Sequence, residues 1–158
     1  MKRVATLGMA LFWLFAVTAS VQAGEVVQAG DLSINSAWAP ATVGFIRAGD
    51  AYMRIINSGA AADRLIAADT PVARRTRIRQ WFTDDDGLTK IRTLDGLRIG
   101  PGETVILRPK DLTVKLLGLR DALRAGQEFP LTLQFERAGY VPVNVSVLAA
   151  EEKPNTPQ

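Results

Sequence analysis

The residues best able to bind a ligand are basic side chains gathered in one short stretch. Arg75, Arg77 and Arg79 alternate with other residues, so that in a β-strand they share one face. Lys90 and Arg92 follow across a predicted hairpin. Such a cluster can bind an anion, the acidic face of a partner protein or phospholipid headgroups. The competing interpretation is a solvated strand whose charges prevent edge pairing and are balanced by nearby aspartates.

The residue types that are missing restrict the chemistry further. The chain contains no histidine and no cysteine, and Met53 is the only methionine beyond the N-terminal apolar stretch. Histidine and cysteine supply most soft-metal ligands, most nucleophiles and most proton shuttles near neutral pH. A Ser-His triad is therefore impossible, and no serine lies in a nucleophile elbow. We predict that the protein is not an enzyme, with a carboxylate-based hydrolase as a remote alternative.

Three further features have ordinary structural interpretations. Asp84-Asp85-Asp86-Gly87 lacks the alternating oxygen ligands of a calcium loop and predicts a hairpin turn. Met53 lies in an alternating strand and is predicted to be core packing rather than a metal ligand. Trp38, near the end of the first predicted strand, is also expected in the core.

The N-terminus has the pattern of a cleavable secretory signal. Lys2 and Arg3 precede an apolar stretch at 5–17, and Val21-Gln22-Ala23 fits a cleavage site. We therefore predict a signal peptide at 1–23 and a periplasmic protein with no transmembrane segment after cleavage. Removing Lys2 and Arg3 leaves 17 basic and 16 acidic residues, so the basic pI does not indicate nucleic-acid binding. No cysteine follows the apolar stretch, which argues against a lipid-modified N-terminus.

The elements that must position these residues are short strands. Leu131, Leu133 and Phe135 alternate with polar residues, as do the valines between Val141 and Val147. Other apolar segments end at Gly, Pro, Asn or Asp, and no long stretch has helical periodicity. The pattern predicts one all-β domain, a sandwich or barrel, over 24–149 and a disordered tail at 150–158.

Several of these segments resemble the PCu(A)C family of periplasmic copper chaperones. They are Ala51–Ile55 with Asn57 and Gly59, Asp63–Leu65, Pro71–Ala73, Ile99–Val105, Leu116–Leu119 and Pro130–Phe135. The resemblance extends from about Leu32 to Val147. It implies a cupredoxin-like Greek-key β-barrel and a role in copper handling and oxidase assembly.

The resemblance also implies where copper ligands would lie. Members of that family hold Cu(I) with two His and two Met, and these positions fall on Arg79, Ile91, Thr113 and Lys115 in this chain. The spacing is kept, but all four ligands are replaced, two of them by cations that repel a bound metal ion. We therefore expect no cofactor and no copper bound in the family's way. The predicted function is a non-enzymatic binding or scaffold module that contacts a periplasmic protein. The alternative is a copper chaperone with an unconventional site.

Overall fold

The computed structural model describes residues 25–149 of the chain. The predicted signal peptide at 1–23 and the predicted tail at 150–158 lie outside the described residues. Within 25–149, no helix is long and apolar enough to cross a membrane.

Short strands separated by turns make up the described chain, as the alternating pattern predicts. The strands are β1 Val27–Ala29, β2 Leu32–Pro40, β3 Ala48–Asn57, β4 Asp63–Asp69, β5 Ala73–Thr83, β6 Thr89–Leu94, β7 Leu97–Ile99, β8 Thr104–Leu107, β9 Leu112–Leu119, β10 Glu128–Phe135 and β11 Gly139–Leu148. The sequence prediction missed β1, which is only three residues long and therefore too short for its alternation to be recognised.

These strands pair in the order β6-β5-β9-β3-β2-β11-β10-β4-β7, with β1 added to β2 and β8 added to β3. The pairing of β11 with β2 is parallel and the other pairings are antiparallel. Strands distant in the sequence therefore become neighbours, and β3, β5, β6 and β9 form one continuous surface. The all-β prediction is confirmed.

One apolar core lies inside the folded sheet. Leu131, Leu133 and Val145 are completely buried, while the residues between them are more exposed. Met53 is 2% exposed and belongs to the same cluster, as predicted. Among the described residues, the buried cluster extends from Leu32 to Val147, so residues 24–158 include every member of this cluster.

Candidate functional site

The four residues at which the resemblance implies copper ligands, Arg79, Ile91, Thr113 and Lys115, lie on one face of the sheet. Arg79 on β5 is directly opposite Thr113 on β9, and Lys115 lies two residues further along β9. Ile91 on β6 is opposite Trp81, which lies two residues from Arg79. Because side chains two residues apart in a strand share a face, these positions converge. We call this surface the ligand-position face, formed by Arg79, Ile91, Thr113 and Lys115 with their same-face neighbours Asp50, Tyr52, Arg77 and Trp81.

The centre of this face is occupied by an ion pair. Nζ of Lys115 lies 2.9 Å from Oδ2 of Asp50, which is its direct partner on β3. The side chains of Lys115 and Asp50 are 23% and 25% exposed, so the pair is largely withdrawn from water. The hydroxyl of Thr113 donates to the other carboxylate oxygen of Asp50 at 3.2 Å. The carboxylate of Asp50 therefore accepts hydrogen bonds from Thr113 and Lys115, two of the four residues at the implied copper-ligand positions.

An aromatic pair borders the ion pair. Tyr52 is 7% exposed and its ring lies 4.8 Å from that of Trp38. Burial of Tyr52, with a smaller contribution from the negative charge of Asp50, raises its pKa to about 12, against the opposing effect of the Thr113 hydroxyl. The phenol is therefore neutral at ordinary pH, and Tyr52 contributes to this face by packing against Trp38 rather than by transferring protons.

The prediction that Trp38 lies in the core is wrong, and a bulge in β2 is the reason. Ser36 has a φ of 54°, and the register shifts between Asn35 and Trp38. The extra residue reverses the alternation, so that Ala39 enters the core and Trp38 turns outward beside Tyr52.

The predicted basic cluster is divided between two faces. Arg75, Arg77 and Arg79 share the face of Lys115, whereas Lys90 and Arg92 lie on the opposite face of the β5–β6 hairpin. Among residues 25–149, none of the three arginines lies within ion-pair distance of a carboxylate. They provide free positive charge next to the Asp50–Lys115 pair.

The other two cations are occupied within the hairpin. The guanidinium of Arg92 donates from Nε at 3.0 Å and from Nη2 at 2.6 Å to Oε1 of Gln80 and lies over the ring of Phe82. Lys90 forms an ion pair with Asp84. Lys90 and Arg92 lie on a different face from the three arginines because side chains alternate along β6. Ile91 and Thr93 lie beside Trp81 and Arg79, so the residues between them point to the other face.

Asp84 organises the turn of the hairpin. Its Oδ1 accepts hydrogen bonds from the amides of Asp86 and Leu88, and Gly87 has a φ of 78°. Hydrogen bonding to Lys90, followed by that to Leu88, holds the pKa of the Asp84 carboxyl below its usual range. The carboxylate is thus engaged in the turn, in agreement with the hairpin interpretation of Asp84 to Gly87.

The donor set of the ligand-position face does not fit Cu(I). Arginine and an ion-paired ammonium offer no lone pair, isoleucine offers no donor atom, and the threonine hydroxyl is a hard ligand. Within the described part of the chain, no group of three or more His, Cys, Asp or Glu side chains could hold a metal ion. What the face offers instead is positive charge and hydrogen-bond donors for an anionic group.

A recess of about 550 Å³ lies between β4 and the β5–β6 hairpin, next to this face. Asp69 and Asp95 line it together with three arginines, Arg74, Arg75 and Arg77. The arginines extend the positive charge of β5 into the recess.

Asp50 and Tyr52 are site residues that sequence reasoning missed. Their spacing places both on one face of β3, which was visible in the sequence. What was not visible is that β3 lies against β9, which brings Asp50 to Lys115.

Comparison with known proteins places the chain in a family. A family described as "Putative lipoprotein LpqE-like" matches residues 32–147. A protein of Leifsonia xyli subsp. xyli, described as "Putative lipoprotein Lxx21020", is 28% identical over 120 residues, which cover 76% of this chain and 71% of that protein.

Solved structures of copper-chaperone domains share the fold. The copper-bound PCuAC domain of PmoF2 superimposes with a TM-score of 0.69 at 23% identity, covering 79% of this chain and 98% of that domain. The solution structure of CuI-DR1885 from Deinococcus radiodurans gives a TM-score of 0.62 at 25% identity and covers 85% of each chain. The predicted cupredoxin-like architecture and the resemblance to PCu(A)C proteins are confirmed. The chain therefore belongs to the LpqE-like family and has the fold of the PCuAC copper-chaperone domains.

Proposed function

We propose that this protein is an exported, non-enzymatic binding module of a copper-handling system that has lost the copper site. The observation that carries the proposal is the ion pair between Lys115 and Asp50 at the centre of the ligand-position face. A cation bound there would either displace the Lys115 ammonium or lie close to it and to Arg79. The electrostatic repulsion between two such charges about 5 Å apart costs a few kcal/mol.

Export is supported by two independent observations. The first 23 residues have the composition of a cleavable signal, and the relatives are described as lipoproteins. We infer a periplasmic location, where members of the copper-chaperone family act.

Copper titration tests the loss of the metal site. Residues 24–158 would be titrated with Cu(I) against a competing chelator under reducing conditions. We expect no sub-nanomolar binding, and Met53→Leu should leave the result unchanged because Met53 is buried in the core. Sub-nanomolar binding by the unaltered protein would refute the proposal and support a chaperone with an unconventional site.

The partner that fits the remaining surface is a protein with an acidic face. Arg75, Arg77 and Arg79 have no carboxylate partner within the described residues and lie on the outside of the barrel. Rim charges of this kind mainly accelerate association and confer salt dependence.

Charge reversal on the two faces of one hairpin tests this partner surface. Arg77→Glu with Arg79→Glu should abolish salt-sensitive capture of a partner from periplasmic extract. Lys90→Glu with Arg92→Glu, a matched change on the opposite face, should preserve it. Equal losses in both double variants would show that net charge, and not the ligand-position face, determines capture.

A further inference from the structure

Three loops meet at one end of the barrel. They are residues 41–47 between β2 and β3, residues 70–72 between β4 and β5, and residues 120–127 between β9 and β10. The amide of Thr42 donates to the carbonyl of Leu123 at 2.9 Å, and that of Arg120 donates to the carbonyl of Val72 at 3.0 Å. We call this surface the loop end.

The tip of the loop end is apolar and unusually exposed. Val43, Phe45 and Ile46 are 73%, 101% and 53% exposed, and Gly44 between them has a φ of 65°. The ring of Phe45 is fully exposed, so it gains none of the free energy that burial of its apolar surface would provide. Three large, exposed apolar side chains within four residues therefore indicate a contact with something other than residues 25–149.

The loop end also carries three arginines. Arg47, Arg120 and Arg124 belong to the same loops, whereas Asp121 is the only acidic residue in them. Within residues 25–149 none of the three arginines has a carboxylate at ion-pair distance. A recess of about 500 Å³ at the loop end is lined by Arg120, Arg124 and Phe129, and also by the acidic residues Asp121 and Glu128.

Exposed apolar side chains in the same set of loops as arginines without an ion-pair partner in the described chain fit the surface of an anionic membrane, because the apolar groups can enter the interface while the cations contact lipid phosphates.

We propose that the loop end is a membrane-contacting surface, on which Phe45 and its apolar neighbours enter the interface of an anionic bilayer while Arg47, Arg120 and Arg124 contact lipid phosphates. The proposal is independent of the copper question, because the ligand-position face lies along the side of the barrel on β3, β5, β6 and β9. It would place that face where a membrane-bound partner can reach it.

Vesicle flotation tests the proposal with residues 24–158, the predicted mature protein, which include the whole buried cluster of the described residues and lack the N-terminal apolar stretch. The probes are vesicles of equimolar phosphatidylglycerol and phosphatidylcholine, and vesicles of phosphatidylcholine alone. We expect flotation with the anionic vesicles, weakened by added salt, and at least about tenfold less partitioning for Phe45→Ser with Ile46→Ser, as follows from the burial energy of a large apolar side chain.

Two controls keep the result specific. Leu88→Ser, at an exposed apolar residue in the β5–β6 turn, should leave flotation unchanged. Arg47→Glu with Arg124→Glu should reduce binding to anionic vesicles and should not affect the folded spectrum by circular dichroism. Absence of flotation by the unaltered protein, or an equal loss in Leu88→Ser, would overturn the proposal. Retention by a membrane protein in detergent without any vesicle binding would identify the loop end as a protein interface and would also overturn it.

Discussion

Lys115 and Asp50 are direct partners on neighbouring strands, with Nζ and Oδ2 2.9 Å apart on the ligand-position face. The ammonium of Lys115 thus supplies, from within the chain, a positive charge on this face. Its carboxylate partner also accepts a hydrogen bond from Thr113, so Lys115, Asp50 and Thr113 form one network. This network gives the face a defined structure.

The first prediction concerns the stability of this pair. Lys115→Met leaves the largely buried carboxylate of Asp50 without its cation, and Asp50→Asn leaves the ammonium without its anion. We expect each change to lower the free energy of unfolding by about 1–2 kcal/mol, between the values for exposed and fully buried pairs. The double variant should be less destabilised than the sum of the two. Chemical denaturation of the four proteins measures this, and strict additivity would contradict direct coupling.

The second prediction is that copper binding can be installed. Arg79→His, Ile91→Met, Thr113→His and Lys115→Met together place two imidazoles and two thioethers on one face, a donor set suited to Cu(I). We expect tight Cu(I) binding in competition with a chelator. The matched control uses Gln80→His and Arg92→Met instead of the first two changes, which moves one imidazole and one thioether to the opposite face. Equal affinity in both proteins would show that the proposed face does not hold the metal.

The third prediction follows from the raised pKa of Tyr52. The folded protein retains the phenol proton up to a pKa of about 12, whereas an unfolded tyrosine loses it near pH 10. Stability is therefore unaffected by Tyr52 below about pH 10 and falls as the pH rises towards 12. Ultraviolet absorbance of tyrosinate, compared with Tyr52→Phe, isolates this transition. Asp50→Asn should lower the transition pH, because it removes a negative charge that opposes ionisation.

The fourth prediction concerns the β5–β6 hairpin. Asp84→Ala removes the acceptor for the amides of Asp86 and Leu88 as well as the partner of Lys90. We expect faster hydrogen exchange at these two amides and a more mobile hairpin tip, with the barrel strands unchanged. Asp85→Ala is the matched control in the same turn. Equally fast hydrogen exchange in both variants would show that Asp84 does not order the turn.

The fifth prediction separates packing from metal binding at Met53. The side chain is 2% exposed within the apolar core. Met53→Leu should cost less than about 1.5 kcal/mol, whereas Met53→Ala should cost about 2–5 kcal/mol because a cavity remains. Thermal or chemical unfolding measures both. A larger loss for Met53→Leu than for Met53→Ala would contradict a packing role.

Much of the fold could be predicted from local pattern. The alternation in β10 and β11, the turn at Asp84 to Gly87 and the core position of Met53 follow from side-chain periodicity and turn chemistry, which act over a few residues. The division of the basic cluster between two faces also follows from alternation, because Lys90 and Arg92 occupy positions in β6 that alternate with Ile91. Which of these positions share a face with Arg77 and Arg79 depends on the register of β5 with β6, which the sequence does not show.

The orientation of Trp38 could not be predicted, because a single extra residue at Ser36 reverses the alternation, and a bulge leaves no reliable mark in the sequence. The sequence by itself determined the strand-rich architecture, the types of residue at the ligand positions and the absence of histidine and cysteine. Only the tertiary structure decided that Asp50 meets Lys115, since β3 and β9 are far apart in the chain and their pairing depends on closing the whole core. It likewise decided that Arg120 and Arg124 lie at the same end of the fold as the exposed loop around Phe45, because their loop meets that loop only in the folded chain, where the Thr42 amide donates to the Leu123 carbonyl.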